Sequence, residues 1–263
     1  MAHLSDLVSA LAHITGLPVA TIFAYGRFAR EAGLIAQKGR GRGAATMEVS
    51  DAANLLIGLG GTAVTRESPL AIRSYRAMKG VIFRQYQSGL ACDFADYLRP
   101  LGFDFRPIGD ISGELQECKC TRDFGDLLEL LILDAGLGNL TRWLLTWPIP
   151  GMPYHTVLTG HEQLRIIFHR SEPSVSIEFR HAWGKAFELW FKPHGRQQKR
   201  RALRTSTTLT QDCLTALGMV LMDLINPEQL KRPQALTKIY EAQAEGLLAG
   251  PVVSAVPRIG KAR

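Results

Sequence analysis

The stretch QLRIIFHRSEPSVSIEFRHAWGKAFELWF, residues 163–191, restricts the fold more than any other part of this chain. Runs rich in Ile, Val, Phe and Trp occupy 164–169, 174–180 and 186–191, and the turn-forming SEPS and AWGK separate them. The alternation has a period of two. It sends Ile177 and Phe179 to one face and Glu178 and Arg180 to the other. A strand with one apolar face must bury it against another layer, so the pattern predicts a three-stranded antiparallel meander packed on helices.

The helices lie to either side of it. LSDLVSALAHITG opens with Ser5 and Asp6, places Leu7, Val8, Leu11 and Ile14 at helical spacing, and closes on Gly16. Pro18 suits the first turn of a second helix, PVATIFAYGRFAREAG, which ends by Gly33. Next comes LIAQKGRGRGAATMEV, in which Leu34–Ala36 and Ala45–Val49 read as strands flanking a glycine-rich tip. That tip carries Lys38, Arg40 and Arg42. SDAANLLIGL then starts a further helix, capped by Ser50 or Asp51, that buries Leu55, Leu56 and Leu59. Two short helices, a basic hairpin and a closing helix describe a winged helix-turn-helix.

The segment LPVATIFAYGRFAREAGLI resembles the recognition-helix region of winged helix-turn-helix transcription regulators, through Thr21-Ile22, Ala29 and Glu31-Ala32-Gly33-Leu34-Ile35. The order of helix, REAGLI, basic wing and further helix is similar to the DNA-binding half of the MerR family, over roughly the first 60 residues. The resemblance implies that the second helix lies in a major groove, with Thr21, Ala24, Tyr25, Arg27 and Arg30 facing or flanking the DNA. Lys38, Arg40 and Arg42 would then meet a neighbouring phosphate or minor groove. It departs from the usual pattern in exposing few polar donors early in that helix, where Pro18, Val19, Ala20 and Phe23 stand.

Beyond residue 60 the chain becomes polar up to Pro69, which reads as a boundary between a DNA-binding domain (1–64) and an α+β dimerisation or effector domain (69–248). A flexible basic tail, 249–263, would follow. SPLAIRSYRAMKGVIFRQYQSG reads as a basic helix over buried Leu70, Ile72 and Val81, and LACDFADYLRP as another short helix. In ELQECKCTRDFGDLLELLILDAG the leucines Leu127, Leu128, Leu130 and Leu131 indicate an amphipathic helix with an acidic outer face. TTLTQDCLTALGMVLMDLI reads as a helix capped by Thr207 or Thr208. The densest positive run, KPHGRQQKRRALR, holds Lys192, Arg196, Lys199, Arg200, Arg201 and Arg204 without an acid, a second patch able to hold a nucleic-acid backbone.

Among 263 residues the formal net charge of +7, with a pI near 9.4, agrees with a polyanionic partner. No apolar run approaches a membrane span and MAHLSDLV lacks a signal-peptide pattern, so a cytoplasmic setting is expected. Cys92, Cys118, Cys120 and Cys213 are few and scattered, which favours reduced thiols over disulfides or a zinc site. His155, His161, His169, His181 and His194 surround the sheet together with Glu178 and Glu188. Their spacing matches no metallohydrolase motif, and there is no phosphate-binding Gly-Lys loop and no Gly-x-Ser-x-Gly elbow.

The expectation is therefore a sequence-specific DNA-binding transcriptional regulator of phage-type size. It would act as a homodimer on double-stranded DNA, with the α+β remainder sensing a ligand or touching the transcription machinery, and with no cofactor, metal or membrane association. The alternatives are a metal-dependent nucleic-acid hydrolase working through Glu178 or Glu188, and a protein-interaction adaptor that docks through the Val19–Phe23 face.

Overall fold

The structure, a computed structural model, describes residues 2–37, 45–85, 99, 103–107, 115–120, 122–141, 163–181, 184–193, 205–231 and 235–244. The class is α+β. Helices α1 (Leu4–Thr15), α2 (Val19–Glu31), α3 (Val49–Gly61) and α4 (Ser68–Arg76) precede the strands β1 (Lys79–Gln85), β2 (Phe103–Pro107) and β3 (Leu115–Cys120). Helix α5 (Phe124–Gly136) leads to β4 (Gln163–His169), β5 (Ser174–His181), β6 (Gly184–Lys192) and β7 (Ser206–Thr210), and α6 (Gln211–Leu221) and α7 (Ala235–Ala244) follow.

The strands make one seven-stranded sheet in the order β2-β3-β1-β6-β5-β4-β7, with every pairing antiparallel. The meander β4–β5–β6 lies within it, as the period of two requires, but the sheet is larger than the three strands expected. The added strands were hidden by their surroundings. The basic segment taken for one helix breaks after Arg76, and its Gly80-Val81-Ile82-Phe83 stretch pairs with β6 instead. LQECKC becomes β3 rather than the start of a helix, and Thr207 and Thr208 lie in β7, leaving Thr210 as the N-cap of α6.

Across β4, β5 and β6 one face of the sheet is apolar. Leu164, Ile166 and Phe168 on β4, Val175, Ile177 and Phe179 on β5, and Phe187, Leu189 and Phe191 on β6 are all buried. The helical layer above them contains α3, α4, α5 and α6. Phe168 contacts the rings of Tyr75 and Phe124 edge-on at centroid distances of 5.5 and 5.7 Å, and Phe124 reaches Phe191 at 5.3 Å. Helix α3 is the innermost element, buried continuously from Asp51 to Gly61. An all-round apolar sequence is what such a position demands.

The region read as an interdomain linker is packed. Gly60, Gly61 and Thr62 are buried, and a Cβ on Gly60 would lie 2.4 Å from Phe168 Cδ2. Arg170, in the β4–β5 turn, donates to the carbonyls of Gly60 (3.0 Å) and Leu59 (3.4 Å) and so satisfies the end of α3. On the other side, α1, in which Leu7 and Leu11 are fully buried, packs against α6. A single hydrophobic cluster runs from Ala2 to Ile239. Leu70, expected to be buried, is instead 68% exposed on α4, while Ile72 beside it is fully buried.

Helices α5 and α6 cross backbone to backbone. A Cβ on Gly218 would meet the Ile132 carbonyl oxygen at 2.2 Å and the Gly136 nitrogen at 2.6 Å, and neither can swing aside like the end of a side chain. Gly218→Ala is therefore expected to destabilise the fold by about 1–3 kcal/mol or more, the usual cost of overpacking. A lowered midpoint in chemical denaturation, with an unchanged slope, checks it.

Candidate nucleic-acid interface

Helix α1 ends on Gly16, whose φ of 70° places it in the left-handed region and returns its N–H to the Ala12 carbonyl at 3.0 Å. The short turn Gly16–Pro18 leads straight into α2. Pro18 occupies the N-cap, no side chain caps the helix, and no acid stands in its first turn. Val19 and Ala20 are exposed there, so the partial positive charge of the helix start faces outward.

The side of α2 turned away from the core carries Val19 (53% exposed), Phe23 (45%), Arg27 and Glu31. Arg27 pairs with Glu31 at 3.4 Å, and its guanidinium lies 4.8 Å from the Phe28 ring centroid. Such an exposed pair holds Arg27 only weakly. Thr21 and Ala24 are half-buried at the margin of this side. Arg30 is also half-buried, and its Nε is buried without a hydrogen-bond partner among the described residues.

Tyr25 must be withdrawn from the expected set of DNA-facing residues. It is 5% exposed, and its hydroxyl donates to the Thr62 carbonyl at 2.9 Å, behind α2 rather than in front of it. Burial raises its phenol above the ordinary value, against a smaller lowering by Arg170, so it remains a protonated donor. The helical period explains the mistake. Tyr25 lies three residues after the buried Ile22 and four before the buried Ala29, on the core stripe of the helix.

The expected hairpin strands are absent from the described residues. Leu34–Ala36 forms turn and irregular chain, Ala45–Glu48 is irregular, and Val49 already belongs to α3. What holds these segments is a carboxylate. Asp51, 6% exposed in the first turn of α3, accepts from Ala36 N through Oδ1 and from Glu48 N through Oδ2, both at 2.9 Å. The Asn54 amide donates to Leu34 O at 2.6 Å, and Met47 N donates to Ala2 O at 2.9 Å. Ile35, Ala45 and Met47 are buried as apolar anchors. Ala36 and Glu48, on either flank of the glycine- and arginine-rich stretch, are thus both held at the N-terminus of α3. Lys38, Arg40 and Arg42 themselves lie outside the described residues, as do Arg196, Lys199, Arg200, Arg201 and Arg204. Lys192 is half-buried at the end of β6, with its Nζ 5.8 Å from the centre of the Trp190 ring.

The second face of the sheet brings together residues that sequence spacing could not connect. Glu178 and Glu188 stand directly opposite each other on β5 and β6 and are only 6% and 5% exposed. In the same row Arg165 is opposite Glu178 and Arg84 is opposite Glu188, so each acid has an arginine at its outer register position. Opposite charges in register suit a compensated ladder. His169 and Ser176 lie beside that row, with His169 Nε2 3.2 Å from Ser176 Oγ and the imidazole stacked on Trp190 at 4.9 Å. No group of three or more metal-ligating side chains occurs among the described residues. His155, His161 and His194 lie outside them. Cys118 and Cys120 are on β3, and burial pushes the Cys213 thiol up to about 12, which makes it a poor nucleophile.

No helix among the described residues is long and apolar enough to cross a membrane. Comparison of the chain with protein-family models, curated proteins and solved structures finds no match in any of the three.

Replacing Asp51 by Ala strips a buried acceptor from two backbone N–H groups at once. A loss of about 2–3 kcal/mol in stability is expected. Limited trypsin digestion is the sharper check: cleavage after Lys38, Arg40 or Arg42 should accelerate in the variant relative to cleavage elsewhere.

Proposed function

We propose that this chain is a double-stranded-DNA-binding regulator whose residues 1–64 act as a winged helix-turn-helix, similar to the DNA-binding half of the MerR family. The observation that supports the reading is Asp51 at the start of α3, which accepts from Ala36 N and Glu48 N on either flank of the stretch that carries Lys38, Arg40 and Arg42. A basic segment so rooted meets phosphate oxygens or a narrow minor groove while the adjoining helix enters the major groove. Helix α2 is uncovered on its outward side and begins without a cap, which favours a phosphate at its start.

Base reading then falls to Thr21, Ala24 and Arg27, with Arg30 at the edge and Tyr25 excluded. So few donors imply that phosphate contacts supply most of the affinity. Two copies related by a twofold axis would present two helices and two basic segments to successive half-sites. The run from Lys192 to Arg204 adds a second contact to the backbone, leaving the α+β remainder for dimerisation or for the transcription machinery.

One observation favours a second reading. Leu17, Val19 and Phe23 are 39%, 53% and 45% exposed at the start of α2, an apolar surface that suits a protein partner better than a base edge. Fluorescence anisotropy on random and genomic duplexes, at two salt concentrations and with or without Mg²⁺, separates the possibilities. For Arg40→Ala/Arg42→Ala the salt slope of log K is expected to fall by about 2, one unit for each lost phosphate contact. Unchanged DNA binding in that variant refutes the role of the arm. Cleavage that needs Mg²⁺ and disappears in Glu178→Gln or Glu188→Gln would transfer the assignment to a hydrolase.

A further inference from the structure

On its second face the sheet carries a pair of parallel rings. Ser176 on β5 has Ile167 of β4 and Trp190 of β6 as its register neighbours, and His169 and Lys192 follow one step along those strands on the same face. The imidazole spans β5 and lies on the indole, at a centroid distance of 4.9 Å with the ring planes 13° apart. His169 Nε2 is 3.2 Å from the hydroxyl of the fully buried Ser176, which holds the imidazole in that pose. Trp190 is half-buried and has no second ring partner among the described residues.

Lysines border the ring pair. Lys192 Nζ is 5.8 Å from the indole centre, and Lys79 on β1 stands directly opposite Lys192 in register, so both belong to this face. Both are half-buried, and neither forms an ion pair among the described residues. The neighbouring acids are engaged elsewhere. Asp123, bridged to Lys79 through the backbone, caps α5 with its carboxylate, which accepts from Asp126 N at 3.0 Å. Glu188 and Glu178 lie one step further into the sheet, opposite Arg84 and Arg165. Glu172 is in the turn beyond the ends of β4 and β5. Like charges directly opposed across a strand pair are destabilising, and an anion between them removes that cost.

We propose that this end of the sheet binds single-stranded nucleic acid. An unpaired base extends the stack of Trp190 and His169, and Lys79 and Lys192 hold the phosphate beside it. Aromatic platforms flanked by cations take unpaired strands in this way, because every base has a π-face. A duplex offers no such face, since its bases are stacked on one another and only their edges reach the grooves. An acidic protein segment would answer the lysines and leave the ring pair without a planar ligand, so nucleic acid is favoured over protein. The site uses neither α2 nor the Lys38–Arg42 segment and does not rest on the duplex-binding reading.

The test uses the full chain and a fluorescein-labelled thymidine strand of about 12 nucleotides, its abasic counterpart, and the same strand annealed to its complement. The thymidine strand should bind roughly tenfold or more tightly than the abasic one. Trp190→Leu should abolish that difference, and Trp190→Phe should keep part of it. Lys79→Ala/Lys192→Ala should lower the salt slope of log K for the thymidine strand by about 1.4, the single-strand value for two phosphate contacts. Duplex affinity should not change in Trp190→Leu, whereas Arg40→Ala/Arg42→Ala should weaken the duplex and leave the thymidine-to-abasic ratio as it is. The two readings can therefore fail separately. Should Trp190→Leu fail to melt cooperatively, the abasic strand and the lysine pair decide. Absent binding, equal affinity for thymidine and abasic strands, or a thymidine preference that survives in folded Trp190→Leu overturns the proposal. So does a glutamate-rich peptide that displaces the thymidine strand as well as unlabelled strand does, which would make this a surface for acidic protein.

Discussion

The C-terminus of α3 is the joint on which the rest of this molecule depends. A helix end leaves carbonyls without partners, and inside a protein each must be met. Here Arg170 from the sheet meets Leu59 and Gly60, and Tyr25 from α2 meets Thr62. Gly60 and Gly61 permit the approach, because side chains there would occupy the space of the Phe168 and Tyr75 rings. One helix end thus connects α2, α4 and the sheet, and the N-terminal helices cannot swing as a tethered module without breaking buried hydrogen bonds.

At the opposite end of α3 the arrangement is electrostatic. Asp51 takes two backbone donors, Asn54 takes a carbonyl, and Arg76 links the Asn54 side chain (2.7 Å) to Glu129 on α5. The central helix therefore acts at both ends as a collector of backbone groups from segments that lack regular structure. This accounts for how Leu34–Ala36 and Ala45–Glu48 hold fixed positions without forming strands.

Much of this was legible from residue order, and the failures have physical causes. The Gly16 stop, the α1 and α2 helices and the β4–β5–β6 meander follow from local signals of period and punctuation that need no tertiary context. The strands β1 and β3 were missed because charged residues interrupt their apolar character and neighbouring helical patterns overran them; pairing with β6 and β2 decided their form. Tyr25 and Leu70 were assigned to the wrong sides because residue type was followed over helical phase: the tyrosine shares the core stripe of Ile22 and Ala29, and the leucine falls on the face away from Ala71, Ile72 and Tyr75. The opposition of Glu178 and Glu188 is a matter of register between strands, which spacing along a chain does not encode. For the candidate site, the basic residues announced themselves by composition. The carboxylate that holds the flanking Ala36 and Glu48 looked like an ordinary helix cap.

That carboxylate also separates the length of a segment from the geometry of its base. Because Ala36 and Glu48 are both secured to Asp51, the intervening chain can be lengthened without moving α2 relative to α3, and doubling a loop adds only about 0.6 kcal/mol of closure cost. The body thus provides a socket for interchangeable inserts. A peptide tag or a fluorophore could be grafted between residues 37 and 45, with Ala45 and Met47 kept as buried anchors.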